Sequence, residues 1–271
     1  MSAARDDRYE VTIVKYGTRA TTRAEVFLNY PLYHEADAPI GMDYFFWIVR
    51  NQARTFVVDT GFSPQGGRSR GRTQLAPVPE LLSRHGVDTG ATPVVVLTHA
   101  HYDHAGNVGL FPASTILLSA RELEFWMGGH AGRTLFAHSA DAEAIQLIAK
   151  ARTEGRVRLF DGRFDLAPGV EILEVGGHTP GQCVVKVATD DGVVLLASDA
   201  VHYFEELERD MPFASVADVV GMYEAFERIR KLLASGEVDH LVPGHDPSTL
   251  TRFRPAATGG ELAATIGGRG A

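Results

Sequence analysis

Short apolar runs separated by turn residues make up most of the chain, and they predict strands in two series with helices between and after them. Strands are predicted at 9–16, 24–30, 44–50, 54–59, 93–98, 115–118, 156–160, 170–175, 183–188 and 193–198. Apolar spacing and capping residues predict helices at 77–85, 120–127, 140–152 and 216–234. The Gly-, Ser- and Arg-rich stretch 61–75 predicts an irregular loop. The pattern therefore indicates an α/β chain but does not specify how its layers stack.

Composition narrows the class of protein. The 271 residues are 45% hydrophobic with a net charge of −8, which is ordinary for a globular protein and argues against a nucleic-acid-binding surface. The single cysteine, Cys183, excludes an internal disulfide. The charged start lacks a signal core, and no apolar run is long enough to span a bilayer. We expect a cytoplasmic protein with one domain over 1–254 and a flexible Ala/Gly/Thr-rich tail over 255–271.

Candidate chemistry is concentrated directly after the strand predicted at 93–98. His99, His101 and His104, with Asp103 between them, follow that buried strand on a tight loop. Neutral imidazole is a good Zn²⁺ ligand, and carboxylates complete such sites. The alternative is a solvated polar loop, but three of the chain's eleven histidines within six positions favour a metal site. Because the four side chains cannot all point the same way, this loop could supply ligands to two neighbouring metal positions.

Five motifs, in order along the chain, resemble the signature of the metallo-β-lactamase superfamily. They are Val57-Val58-Asp59-Thr60-Gly61, the His99-x-His101-x-Asp103-His104 loop, Gly176-Gly177-His178-Thr179-Pro180-Gly181, Leu195-Leu196-Ala197-Ser198-Asp199 and Leu241-Val242-Pro243-Gly244-His245. The resemblance spans about residues 40 to 250. It implies a four-layer αββα sandwich with metals on loops at one edge, between the two sheets.

The same resemblance implies a ligand set and a reaction. His99, His101 and His178 would bind a first metal, Asp103, His104 and His245 a second, and Asp199 would bridge the two. The expected cofactors are two Zn²⁺ ions, with Fe, Mn or Co as alternatives. Two such metals can share a hydroxide that attacks a carbonyl carbon. Asp103 could also relay a proton to the leaving group, and Asp59 is expected to support the site rather than bind metal.

The bridging position favours one branch of the superfamily. Class B lactamases carry Cys at the bridge and flavodiiron proteins carry Glu where His101 stands, whereas this chain resembles most the N-acyl homoserine lactone lactonases. That group has a substrate-orienting Tyr where this chain has His202, followed by Tyr203. Either residue could take that role, or both could be packing residues near the rim. The candidate substrate pocket consists of Met42, Tyr44, Phe45, Phe62, Trp126 and Phe204.

These features together predict a dinuclear zinc hydrolase that opens a lactone. The alternatives are a thioesterase or other small-ester hydrolase, an iron-dependent oxygenase or oxidoreductase on the same scaffold, and a metal-binding protein without turnover. The expected partner is a small lactone or ester, with no nucleic acid and no membrane, and the chain could form a homodimer.

Overall fold

The computed structural model describes residues 7–268. Within these residues the structure has fourteen strands: β1 Glu10–Thr22, β2 Pro39–Arg50, β3 Thr55–Val58, β4 Thr73–Gln74, β5 Val94–Val96, β6 Ile116–Ser119, β7 Val157–Phe160, β8 Arg163–Ala167, β9 Val170–Glu174, β10 Cys183–Thr189, β11 Gly192–Ser198, β12 His240–Pro243, β13 Arg254–Pro255 and β14 Ala263–Ile266. The larger sheet has the order β13-β14-β1-β2-β3-β5-β6-β7, with β4 paired to β1. The smaller sheet has the order β12-β11-β10-β9-β8.

Nine α-helices lie between and after these strands in the described part of the chain: α1 Arg23–Val26, α2 Pro64–Ser69, α3 Val78–Arg84, α4 Tyr102–Ala105, α5 Ala120–Met127, α6 Thr134–Ala137, α7 Ala142–Thr153, α8 Phe204–Arg209 and α9 Val219–Ala234. None of the helices in residues 7–268 has the length and apolar character needed to cross a bilayer.

Three buried clusters define the layers. One cluster lies between the sheets, where Val11 and Trp47 of the larger sheet meet Val185 and Leu196 of the smaller. A second packs the larger sheet against helices such as α3 and α7, and a third packs the smaller sheet against α8 and α9. The order helix, sheet, sheet, helix confirms the four-layer αββα sandwich expected from the resemblance.

The strand predicted at 24–30 does not form. These residues contain most of α1, the bridge residue Phe27, a turn and the start of a 3-10 helix at Tyr30–Tyr33. Val26, Phe27 and Tyr30 are buried together. A single strand would place Phe27 on the opposite face from Val26 and Tyr30, so the chain turns around Phe27, which is extended and forms an isolated bridge with Phe213, to bury all three.

The predicted C-terminal tail is also corrected. Residues 263–266 form β14, which pairs antiparallel with β1 from Val11↔Ile266 to Val14↔Ala263. Ala263, Ala264 and Ile266 are buried. This segment covers a strand that would otherwise leave its backbone groups unpaired, so long-range pairing orders it despite its composition. Residues 269–271 of the predicted tail lie outside the described residues.

Candidate metal centre

The loop after β5 holds four of the seven predicted ligands. β5 lies between the parallel strands β3 and β6, so its carboxyl end is fixed on both sides. The chain leaves it through His99, and His101 then takes an extended conformation as the N-cap of α4. The short helix then carries Asp103 and His104, and the centroid of the His104 ring lies 4.1 Å from that of His99. All four side chains are buried.

His178 and Asp199 join the first part of this loop. Ligand atoms of His99, His101, His178 and Asp199 all lie within 4.8 Å of one another. His101 Nδ1 and His178 Nε2 are 2.9 Å apart. Asp199 Oδ2 is 3.3 Å from His178 Nε2 and 3.7 Å from His99 Nε2. We call these three histidines the first donor group.

Asp103, His104 and His245 form the second donor group, whose ligand atoms likewise lie within 4.8 Å of one another. Asp199 Oδ1 is 3.2 Å from His104 Nε2 and 3.1 Å from His245 Nε2. Asp199 Oδ2 also lies 3.3 Å from His245 Nε2, so one carboxylate oxygen contacts both groups and the other contacts the second group. All seven predicted ligands come together, and Asp199 occupies the position between the groups that a bridging ligand needs.

The chemistry of these donors fits divalent cations. Burial holds the pKa of His99 and His178 well below the usual value, and it lowers that of His101 to about 4. The three imidazoles are therefore neutral, which is the form that binds metal. The ring nitrogens of His101 and His178 face each other 2.9 Å apart. His99 Nε2 and Asp199 Oδ1 have no hydrogen-bond partner in residues 7–268. These atoms therefore direct lone pairs at common points. A cation would satisfy them.

Asp59 supports the second donor group, as expected from the sequence. Its Oδ2 accepts a 2.7 Å hydrogen bond from His104 Nδ1, while Thr98 donates to both of its oxygens. Asp59 itself has φ +60°, a conformation that Asp and Asn adopt more readily than other non-glycine residues. The backbone carbonyl of Asp43 accepts from His245 Nδ1 at 2.7 Å. Such outer partners fix the ring orientation and raise the basicity of the ligand.

Glu122 is a supporting residue that the sequence analysis missed. Its buried carboxylate accepts hydrogen bonds from the backbone N–H of Ala100 and Gly181 and from the indole N–H of Trp126, at 2.9, 3.0 and 2.7 Å. Burial raises the pKa of Glu122, and these donors oppose that shift. Glu122 lies three residues after Ser119, the N-cap of α5, which is the spacing of a capping box. From the sequence, this position indicates a helix cap rather than support of a metal centre. Glu122 joins the His99–His101 loop to the turn after His178.

His202 lies at the site and Tyr203 does not. His202 Nε2 is 3.2 Å from Asp199 Oδ2, and its Nδ1 donates to Glu206 Oε2 at 3.2 Å. Burial opposes protonation of His202, but the carboxylates of Glu206 and Asp199 raise its pKa to about 9. The Tyr203 hydroxyl instead donates to the carbonyl of Gly41 at 3.0 Å, in the protein interior.

A cavity of about 490 Å³ opens onto the donor groups. Met42 and Tyr44 line it as predicted, beside His101, Asp103 and Asp199. Trp126 lines a smaller adjoining recess, together with His101, His178 and Phe125. The wall also contains residues that the sequence analysis did not select, namely Arg19, Arg70, Arg72, Tyr102, Leu135 and Phe213.

Three predicted pocket residues are corrected. Phe45 alternates with Tyr44 along β2 and therefore points into the core between the sheets. Phe62 is fully buried behind the wall, with its ring centroid 5.2 Å from that of Tyr44. Phe204 lies under the guanidinium of Arg252, 3.7 Å from its ring centroid, and does not line the cavity.

Comparison with known proteins assigns the family. The profile of the metallo-beta-lactamase superfamily matches residues 42–245, about three quarters of the chain. The chain belongs to the metallo-beta-lactamase superfamily. It is a metal-dependent hydrolase of that superfamily, and its donor set supports divalent-metal binding.

Two relatives and one solved structure show the range of this likeness. An N-acyl homoserine lactonase of Bacillus sp is 23% identical over 215 residues, covering 74% of this chain and 80% of the relative. An acyl-coenzyme A thioesterase of Homo sapiens is 26% identical over 220 residues, covering 73% and 71%. A solved N-acyl homoserine lactone hydrolase, with N-hexanoyl-L-homoserine at its catalytic metal centre, shares the fold. Its TM-score is 0.75 at 19% identity, covering 90% of this chain and 96% of the other.

Proposed function

We propose that this protein is a dinuclear zinc hydrolase that opens the ring of a lactone. The observation that carries the proposal is the position of Asp199, whose carboxylate lies between two donor groups and contacts both of them on the wall of one cavity. A single carboxylate placed in this way suits two ions held close together. Such a pair suits hydrolysis of an ester, in which charge develops on both the attacking and the leaving oxygen.

Each side chain has a proposed role. The first donor group, the second donor group and Asp199 would hold the ions, which supply Lewis-acid activation of water and of the ester carbonyl. Asp103 lies both among the donors and on the cavity wall, where it can pass a proton to the ring oxygen that leaves. His202 is held by Glu206, and in its protonated form it offers an Nε2–H beside Asp199 that can orient a carbonyl oxygen. Met42 and Tyr44 provide wall surface for the rest of the substrate.

The relatives support the choice of a lactone. Both the Bacillus lactonase and the solved lactone hydrolase act on N-acyl homoserine lactones by name, and the latter holds its ring-opened product at a metal centre. The human thioesterase supports a second candidate, hydrolysis of an acyl thioester, because thioester and lactone carbonyls need the same activated water. The cytoplasmic location and the homodimer remain sequence predictions, for which fractionation and light scattering are the tests.

The experiment compares substrate classes on metal-free protein reloaded with two equivalents of either zinc or iron. Each preparation is mixed with N-hexanoyl homoserine lactone, γ-butyrolactone, an acyl-coenzyme A and a β-lactam, with and without oxygen, and acid release and oxygen consumption are followed. Lactone opening without oxygen supports the proposal. Turnover of the thioester alone favours the second candidate, and activity that requires both iron and oxygen favours an oxygenase. Absence of turnover with every substrate contradicts the hydrolase proposal.

A further inference from the structure

Two arginines on the cavity wall have no carboxylate partner. Arg70 and Arg72 lie between α2 and β4, in the stretch for which the sequence predicted only a loop. Across residues 7–268, neither guanidinium has an Asp or Glu oxygen within 4.0 Å, whereas Arg19 on the same wall pairs with Glu25 at 2.7 Å. The other carboxylates on this wall, Asp103 and Asp199, belong to the metal donors.

The two arginines differ in how their hydrogen bonds are used. Arg70 donates to the backbone carbonyls of His138, Ala140 and Gly66, so its guanidinium joins the α6–α7 connection to α2. Arg72 donates through Nε to the Tyr102 hydroxyl at 3.0 Å, and through Nη1 to the carbonyl of Arg70 at 2.7 Å. Its Nη2 has no partner among the described residues. Arg72 therefore keeps a donor for a molecule in the cavity.

The backbone holds Arg72 in a fixed place. Its N–H donates to the carbonyl of Gly67 at 2.9 Å, and the next two residues form β4 against β1. The partner phenol is neutral at neutral pH, so Arg72 has no contacting carboxylate among residues 7–268, and the charge of Asp103 acts on it only from a distance. A partly buried cation without a contacting counter-ion is costly, and a guanidinium has the planar donor geometry that matches carboxylate and phosphate oxygens.

We propose that the substrate carries a carboxylate or phosphate that pairs with Arg72 while its ester bond lies at the donor groups. This inference rests on the proposed hydrolysis and specifies its substrate class: an anionic lactone or ester rather than a neutral one. Water adds its hydroxyl to the carbonyl carbon and its remaining proton to the leaving alkoxide, so the anionic group on Arg72 is unchanged by the reaction. The adjoining recess, which has no arginine in its lining, accepts the apolar part of the substrate.

The test compares matched probes and matched variants. The substrates are γ-butyrolactone-γ-carboxylate, its phosphonate analogue and its neutral carboxamide, assayed with zinc-loaded protein. Arg72→Gln removes the charge, Arg72→Lys keeps the charge without the planar fork, and Arg68→Gln removes an exposed arginine of the preceding helix α2 as a control. Thermal unfolding and metal content are measured for each variant. Binding of glutarate to each protein is measured by calorimetry, which does not depend on turnover.

We expect the unmodified enzyme to prefer an anionic probe to the carboxamide. Loss of a charge-assisted pair in Arg72→Gln should lower kcat/KM for that probe about 10- to 100-fold, mainly through KM. The carboxamide should change less than about twofold, and Arg68→Gln should match the unmodified enzyme. The carboxylate and phosphonate arms show which anion is accepted. The inference would be overturned if Arg72→Gln lowered kcat/KM equally for the charged and neutral probes, or if the unmodified enzyme did not prefer the charged ones. Arg72 would then only support Tyr102.

Failure of the proposed hydrolysis gives a different result. If no lactone is opened, glutarate should still bind the unmodified protein, and it should bind Arg72→Gln at least about 10-fold more weakly. That result would support an anion-binding site at Arg72 even though the proposed hydrolysis is wrong. Equal glutarate binding by both proteins would overturn the site itself.

Discussion

In the second donor group, the imidazole nitrogens that point away from the site are hydrogen-bonded to oxygen atoms of the protein. In the first donor group, the main supporting hydrogen bonds go to the backbone of the ligand loops. His104 and His245 each direct the nitrogen remote from the site at a fixed acceptor 2.7 Å away, on Asp59 and Asp43 respectively. In the first group, His99 Nδ1 has only the hydroxyl of its chain neighbour Thr98 at 3.2 Å, and His178 Nδ1 has no hydrogen-bond partner within residues 7–268. The first group instead depends on the Glu122 carboxylate, which binds backbone N–H groups of both ligand loops.

This difference indicates that the two metal positions can be perturbed separately. An oxygen behind an imidazole fixes its tautomer and increases its electron donation, so its loss weakens one ligand. A carboxylate that ties two loops together sets the distance between ligands without changing the donor strength of any of them. The residue common to both groups is Asp199, and changes there should have the largest effect.

Asp199→Asn should disable both groups together. The amide keeps the shape of the side chain but removes the negative charge that both groups face, so we expect loss of bound metal and a fall in kcat/KM of about a thousandfold or more. Metal analysis and lactone assays measure this, with Asp103→Asn as the matched comparison, since that change should affect the second group only. Two full equivalents of metal and undiminished turnover in Asp199→Asn would contradict the shared role.

The seven donors could be predicted from the sequence because each lies in a short motif at a strand end, in an order that the resemblance made specific. Supporting and wall residues were harder to predict. Glu122 fits a helix cap equally well, and only its tertiary contacts show that it joins two loops. The direction of Arg72 depends on its hydrogen bond to Tyr102, 30 residues away. The pairing of β14 with β1 joins opposite ends of the chain, which local composition does not indicate.

Asp59→Asn should weaken the second group alone. Asn also accepts the left-handed backbone conformation at this position, so the fold is retained, but the anionic acceptor behind His104 is lost. We expect about a 10- to 100-fold loss of affinity for one of the two metals, in line with other outer partners of metal-bound histidines. Titration with a metal-chelating dye resolves the two affinities. Equal weakening of both sites would show that the groups are not independent.

Glu122→Gln should act on the first group and on stability. The amide cannot accept from all three N–H donors, and its own NH₂ would face one of them, so we expect a loss of about 1–3 kcal/mol in the free energy of unfolding. Metal affinity at the first group should fall by a smaller factor than in Asp59→Asn. Denaturant unfolding and the same dye titration measure both, with exposed Glu124→Gln on the same helix as the control. Unchanged stability would remove Glu122 from the support of the loops.

His202→Gln is expected to have the smallest effect, and it separates support of the metal centre from contact with substrate. His202 stacks on Phe213, with ring centroids 3.9 Å apart, and presents Nε2 to Asp199. If the ring orients a substrate carbonyl, kcat should fall about tenfold, the worth of one hydrogen bond, while bound metal stays unchanged. If it only positions Asp199, metal content should fall together with kcat. Steady-state kinetics and metal analysis on the same preparation distinguish the two, and unaltered kinetics would exclude His202 from both roles.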